Sequence, residues 1–158
     1  MTKKYEFTGE TKQHLGVTLH RIRAVRDIVA LGIVAGTVGG WIESEKNLNQ
    51  VSGNAWVYGN ARVYGNARVS GDAQVYGNAR VSPLNLSGLR WTVTIADQDM
   101  VIGCQAHPID RWWSFSDAQI RKMDGDALEF WHAHKATLKA LCDATGRPFA
   151  KVEKEQEA

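Results

Sequence analysis

Arginines and aromatic rings recur at fixed spacing in residues 49–82, which read NQVSGN AWVYGN ARVYGN ARVSGD AQVYGN ARVS. In a strand the side chains alternate, so Ala61 and Val63 share one face and Arg62 and Tyr64 the other. Trp56, Tyr58, Tyr64 and Tyr76, with Arg62, Arg68 and Arg80, are expected to face outward in this way. The chemistry open to such a set is recognition. A guanidinium offers paired donors to phosphate or carboxylate, and a flat ring stacks on a base or on another ring. The set therefore reads as a contact face for a second protomer or for an anionic aromatic ligand. A surface filled by residues that merely suit strands is the alternative.

Two other places carry candidates. Arg21, Arg23 and Arg26 form a basic cluster that reads either as a solvated strand face or as an anion-binding one, and Arg21 or Arg23 of a neighbouring chain could complete a site. In Asp110-Arg111-Trp112-Trp113-Ser114-Phe115, adjacent tryptophans of a strand or loop point apart. One is expected in the core, the other as an interface anchor, and Trp112 is carried as the candidate.

Bond-making chemistry is not legible. His14, His20, His107, His132 and His134 lie outside the repeat, which holds no lysine and a single acid, Asp72. Cys104 and His107 could both bind a metal, but no second ligand pair follows at zinc spacing. His132 and His134 point to different faces of a helix. No Ser-His-acid order is recognisable, and Ser114 and Ser116 read as helix caps. No catalytic residue, metal or cofactor is expected.

The elements that position these groups follow from periodicity. Valine at 51, 57, 63, 69, 75 and 81, with alanine at 55, 61, 67, 73 and 79, marks a six-residue repeat. Each hexad is a short strand plus a Gly-Asn corner, with valine and alanine facing inward, and hexads must stack to bury that face. Residues 3–25 predict a β-hairpin, with a turn over residues 9–14. Residues 28–48 read as an imperfect first coil, with Thr37-Val38 and Trp41-Ile42 as decayed hexads. Pro83 ends the repeat. Alternation from Leu89 to Cys104 predicts a second hairpin, broken by His107-Pro108. A capping box at Ser116–Gln119 opens a helix running to about Asp124. A second signature at Asp126–Glu129 opens another, with Leu128, Trp131, Leu138, Leu141 and Cys142 on one face, stopped by Gly146 and Pro148.

The hexads resemble the hexapeptide repeat of left-handed parallel β-helices, whose aliphatic-x-x-x-small-x form matches Val51-Ser-Gly-Asn-Ala55-Trp and each hexad after it. The resemblance implies triangular coils of three hexads, so that residue i lies over i+18. One coil would span residues 49–66 and the next 67–82. Tyr58 would then lie over Tyr76, Trp56 over Gln74, Arg62 over Arg80, Tyr64 over Ser82, and Arg68 over Gln50. Stacked arginines about 5 Å apart repel by ~1 kcal/mol in water, a cost that a bound anion removes. Hexapeptide acyltransferases place a histidine base on the prism, and the zinc-dependent carbonic anhydrases three histidines. Neither set is present, so a diverged acyltransferase is only a minor alternative. The segments KYEFTGETKQHLGVTLHRIRAV, GGWIESEKNL and IGCQAHPIDRWWSF are similar to segments of small phage and prophage proteins, which implies an accessory gene of the kind that often antagonises host defence.

The expected fold is therefore mainly β: a short left-handed parallel β-helix flanked by β-hairpins, with a small C-terminal helical (α+β) module. Its parts are an N-terminal hairpin (1–27), the β-helix (28–82), a hairpin with two helices (83–150) and a frayed tail (151–158). A net charge of +2 demands neither DNA nor a membrane. Two cysteines make no disulfide framework, and the polar start is unlike a secretory signal, so the cytoplasm of an infected bacterium is expected. The uncharged run 28–42, interrupted by glycines, is too short to span a membrane. A two-coil prism leaves apolar surface uncovered, which predicts a homo-oligomer, a trimer first. The function expected is non-catalytic: sequestration of a small anionic, nucleotide-like immune signal, or else docking to a host or virion protein.

Overall fold

A computed structural model describes residues 3–147, and the fold is mainly β with a few helices. Strand β1 (Tyr5–His14) runs antiparallel to β2 (Val17–Ala24). The turn expected over residues 9–14 is not there. The chain reverses at Leu15-Gly16, both at positive φ, and Gly9 instead sits in a bulge between Phe7 and Thr11. β3 (Val38–Ile42) lies antiparallel to β2 and parallel to β5 (Arg62–Val63), giving the sheet order β1-β2-β3-β5. β4 (Trp56–Val57) pairs in parallel with β6 (Gln74–Val75).

The hexads pair in parallel, but with unequal offsets. Trp56 over Gln74 and Val57 over Val75 hold the i+18 spacing. Trp41 pairs with Arg62, Ile42 with Val63 and Leu48 with Val69, three residues further than that spacing. The three extra residues lie between Leu48, which pairs with Val69, and Asn54, whose N–H donates to the Gly71 carbonyl; there Asn49 Oδ1 accepts the Val51 and Ser52 N–H groups. Val63 pairs with Ala79, two residues short. There the Arg80 N–H donates to Asp97 Oδ2 at 2.8 Å, so the last hexad leaves the stack for the C-terminal module.

Alternation holds for the core. The five alanines and Val57, Val63, Val69 and Val75 are buried with Tyr5, Ile22, Ile42 and Leu48. Val51 and Val81, expected inside, are 40% and 55% exposed, because Val51 falls in the extra stretch between Leu48 and Asn54 and Val81 follows the last paired residue of the repeat, Ala79. Trp56, expected outside, is buried against Gly39, where an added Cβ would come within 2.7 Å of the indole.

The C-terminal module has its own core. β7 (Leu84–Leu86), β8 (Val93–Ile95), β9 (Asp99–Ile102) and β10 (Gln105–Pro108) form an antiparallel sheet in the order β10-β9-β8-β7. The expected hairpin is its centre. His107-Pro108 does not break it but lies in edge strand β10, where a missing donor is tolerated. Residues expected to be extended form α1 (Ile109–Ser114). α2 (Asp117–Arg121), shorter than expected, starts from the Ser116/Gln119 capping box, whereas Asp126 makes no side-chain cap for α3 (Ala127–Ala144). Ile109, Trp112, Ile120, Phe130, Trp131, Leu138 and Cys142 pack on the sheet. Gln74 N–H donates to Thr94 Oγ1 at 3.0 Å, and buried Arg147 donates to the Ala96 and Ser82 carbonyls, joining the module to the repeat. The proposed tail, 151–158, and the helix stop at Pro148 lie outside the described residues.

Candidate anion-binding site

The outward residues do not form one surface. Tyr58 and Tyr76 stack as expected, with ring centroids 4.1 Å apart and planes 5° apart, and Tyr58 donates its hydroxyl proton to Gln74 Oε1. Burial, and then Tyr76, push the Tyr58 hydroxyl well above its usual range. The arginines separate from this pair. Because Val63 pairs with Ala79, Arg62 does not lie over Arg80. Because Val69 pairs with Leu48, Arg68 falls beside Asn47 and not over Gln50, and its N–H donates to Ser82 Oγ. Gln50 Oε1 instead accepts from the backbone of Lys4 and Tyr5.

Two further candidates are otherwise engaged. Arg23 is ion-paired with Glu6. Trp112 is 3% exposed and donates its indole N–H to the Met100 carbonyl, so it is a core residue and no surface anchor. Trp113 also packs into that core, edge-on to Trp131. Cys104 is exposed, but His107 faces Gln105, Trp112 and Phe115, and no cluster of three metal-ligating side chains occurs among the described residues. The cavity beneath Trp91 and Phe130 measures about 80 Å³, below the several hundred that an organic ligand fills.

Arg21, Arg62 and Tyr64 do come together, on the face of the β1-β2-β3-β5 sheet away from the repeat core. Arg21 pairs with Trp41, and Trp41 with Arg62, so three neighbouring strands project one row of side chains. Lys12 stands opposite Leu19 and His14 opposite Val17, on the same face as Arg21 by the two-residue period. Leu19 and Trp41 are buried here under cations. Lys12 Nζ lies 4.2 Å from the Trp41 ring centroid and Arg21 Cζ 5.1 Å, while Arg21 Nε donates to the Gly39 carbonyl.

Arg62 Nη1 lies 3.4 Å from His14 Nδ1, and Tyr64 meets the His14 ring edge-on at 5.1 Å. A guanidinium can only donate, so Nδ1 accepts and the proton of neutral His14 sits on Nε2. Burial, Arg62 and then Lys12 lower the His14 pKa, which favours that neutral form. The Lys12 pKa is lowered by burial, Arg62 and then Arg21.

Three nitrogens at this place are buried without a hydrogen-bond partner among the described residues: Trp41 Nε1, Arg62 Nε and His14 Nε2. Lys12, Arg21 and Arg62 form no ion pair among those residues. The nearest acid along β3, Glu43, already accepts the Gly65 N–H at 2.8 Å. Lys12, His14 and Trp41 were missed in the sequence because the first two fell in the supposed turn and the third in a glycine-rich apolar run.

The repeat is similar to a known family model, the YdcK beta solenoid repeat, over residues 50–63, 61–73 and 73–82. No curated protein and no solved structure matches the chain.

Proposed function

We propose that this chain is a non-catalytic binding protein that holds a small anion on the outward face of the β1-β2-β3-β5 sheet. The observation that carries this reading is the group of three N–H donors without a partner among the described residues, beside three cations that form no ion pair among them. An unmet buried donor costs about 1–3 kcal/mol, and each is relieved by an acceptor in that place. The fold reading that goes with it is a short left-handed parallel β-helix over residues 28–82, flanked by the N-terminal hairpin. The phage-like segments extend the function to sequestration of a nucleotide-like immune signal in the cytoplasm of an infected bacterium. Mass spectrometry of small molecules released from the purified protein tests this. A phosphorylated or carboxylated compound, lost in Arg62→Gln, is the expected result, and an empty wild-type protein would count against it.

A second reading, docking to a host or virion protein or to further copies of this chain, has its own support. Val29, Val34 and Val38 are 85%, 62% and 47% exposed within an uncharged stretch, an apolar surface of the kind that partners cover. Light scattering that gives a trimer favours self-association. Capture of one host protein, lost in Val29→Asp/Val34→Asp, favours the adaptor. Turnover of an acyl-CoA would favour the acyltransferase.

A further inference from the structure

Resting on the reading that this face binds an anion, we propose that the group it recognises is a tetrahedral dianion, the phosphate of a phosphate monoester, and that no nucleobase is needed. The partnerless groups are all donors. Indole Nε1 and guanidinium Nε cannot accept, and the Arg62–His14 contact leaves the proton of neutral His14 on Nε2. What is missing is therefore acceptors, and a single group with several oxygens can supply all three. Water would satisfy each donor but neutralise nothing, and Lys12, Arg21 and Arg62 bring three positive charges to the same place.

Shape then separates phosphate from carboxylate. The three donors rise from three strands, His14 from β1, Trp41 from β3 and Arg62 from β5. A carboxylate presents two oxygens in one plane. A phosphate monoester presents three terminal oxygens in three directions, one for each strand, and carries about −1.5 to −2 charges at pH 7. Its fourth oxygen leaves the rest of the ligand pointing to solvent.

The rings at this face are already engaged. Lys12 and Arg21 lie over the Trp41 ring, Tyr64 is turned edge-on to His14, and the Tyr58/Tyr76 stack belongs to the β4-β6 pair, outside this sheet. Inorganic phosphate and adenosine monophosphate should therefore bind alike.

Titration calorimetry on the full chain at pH 7.5 and low salt, with inorganic phosphate, adenosine monophosphate and acetate, tests this. Phosphate and the nucleotide should bind within about threefold of each other, and acetate at least tenfold more weakly. Trp41→Phe keeps an aromatic ring beneath the cations but deletes the N–H and one of the two fused rings, so the melting temperature of this buried position should fall somewhat. In the folded variant phosphate binding should weaken at least fivefold. Equal affinity for phosphate and acetate, or unchanged phosphate affinity in a folded Trp41→Phe, overturns the phosphate assignment and leaves an unselective anion site. A nucleotide far tighter than phosphate overturns the claim that the base is not read. Absence of binding by all three ions overturns the site and the proposed function together. Should Trp41→Phe fail to fold, the phosphate–acetate comparison on the wild type still decides.

Discussion

Val63 pairs with Ala79 and not with Val81, and this slip of two residues decides which valines matter. Val63 is fully buried and Val81 is 55% exposed. An unpaired carboxylate at 63 would enter a dry core at a cost of several kcal/mol, comparable to the whole stability of a domain this size. Val63→Asp should therefore abolish folding, while Val81→Asp should move the melting temperature by no more than a degree or two. Circular dichroism melts of both variants check this, and a folded Val63→Asp would refute the packing.

The same slip separates two arginines that look equivalent in the repeat. Arg62 lies against His14, whereas Arg80 is exposed, with its backbone N–H held by Asp97. Arg62→Gln should weaken phosphate binding at least tenfold, about 1.4 kcal/mol. Arg80→Gln should leave it unchanged. Equal losses in calorimetry would restore the paired-arginine ladder.

Lys4 has no exposed surface, and its Nζ has no partner among the described residues. Burial, and then Arg26, lower its pKa to about 8. Between about 8 and the unfolded value of 10.5 the unfolded chain keeps a proton that the folded chain has released, so stability rises with pH across that window. Cys142, raised by burial to about 11, acts in the opposite sense from about pH 9, and Tyr5 and Tyr58, whose pKa values are raised, do so from about pH 10. From pH 7.5 to 9.5 urea unfolding should therefore show a net gain of about 0.5–1 kcal/mol. Lys4→Met should remove the gain and be the more stable protein at pH 7.5.

Arg147 holds the far end together, with Nε 2.8 Å from the Ala96 carbonyl and an Nη 3.2 Å from that of Ser82. Arg147→Met strands the buried Ala96 carbonyl, loses the bond to exposed Ser82, and should cost about 1–3 kcal/mol in denaturant unfolding. A variant as stable as wild type would show the two modules to be independent of this contact.

How much of this was legible turns on whether the cause is local. The inward run of Val57, Val63, Val69 and Val75 with the alanines follows from alternation alone, and the pairing of Trp56 with Gln74 from the 18-residue spacing that the hexapeptide resemblance implies. The two other offsets do not. One depends on the three extra residues between Leu48 and Asn54, the other on Asp97 reaching back to Arg80. The face shared by Lys12 and His14 was hidden because Gly9 reads equally well as a turn or as a bulge, and only the pairing of β1 with β2 decides between them. Of the site, Arg21, Arg62 and Tyr64 could be named from composition, but Trp41 could not be told from a core tryptophan. α1 is too short for periodicity to reveal.

The stacked hexads end in side chains. The last paired strands hand their N–H groups to Thr94 and Asp97, and at the opposite side β3 is covered by an antiparallel hairpin whose outer strand is bulged at Gly9. A parallel stack with bare ends is a template on which further chains can add without limit. Here both growth points are closed by elements of the same polypeptide. Growth by adding strands to the ends of the stack is therefore opposed by the chain itself, and a variant relieved of Asp97 and Thr94 would be the one prone to it.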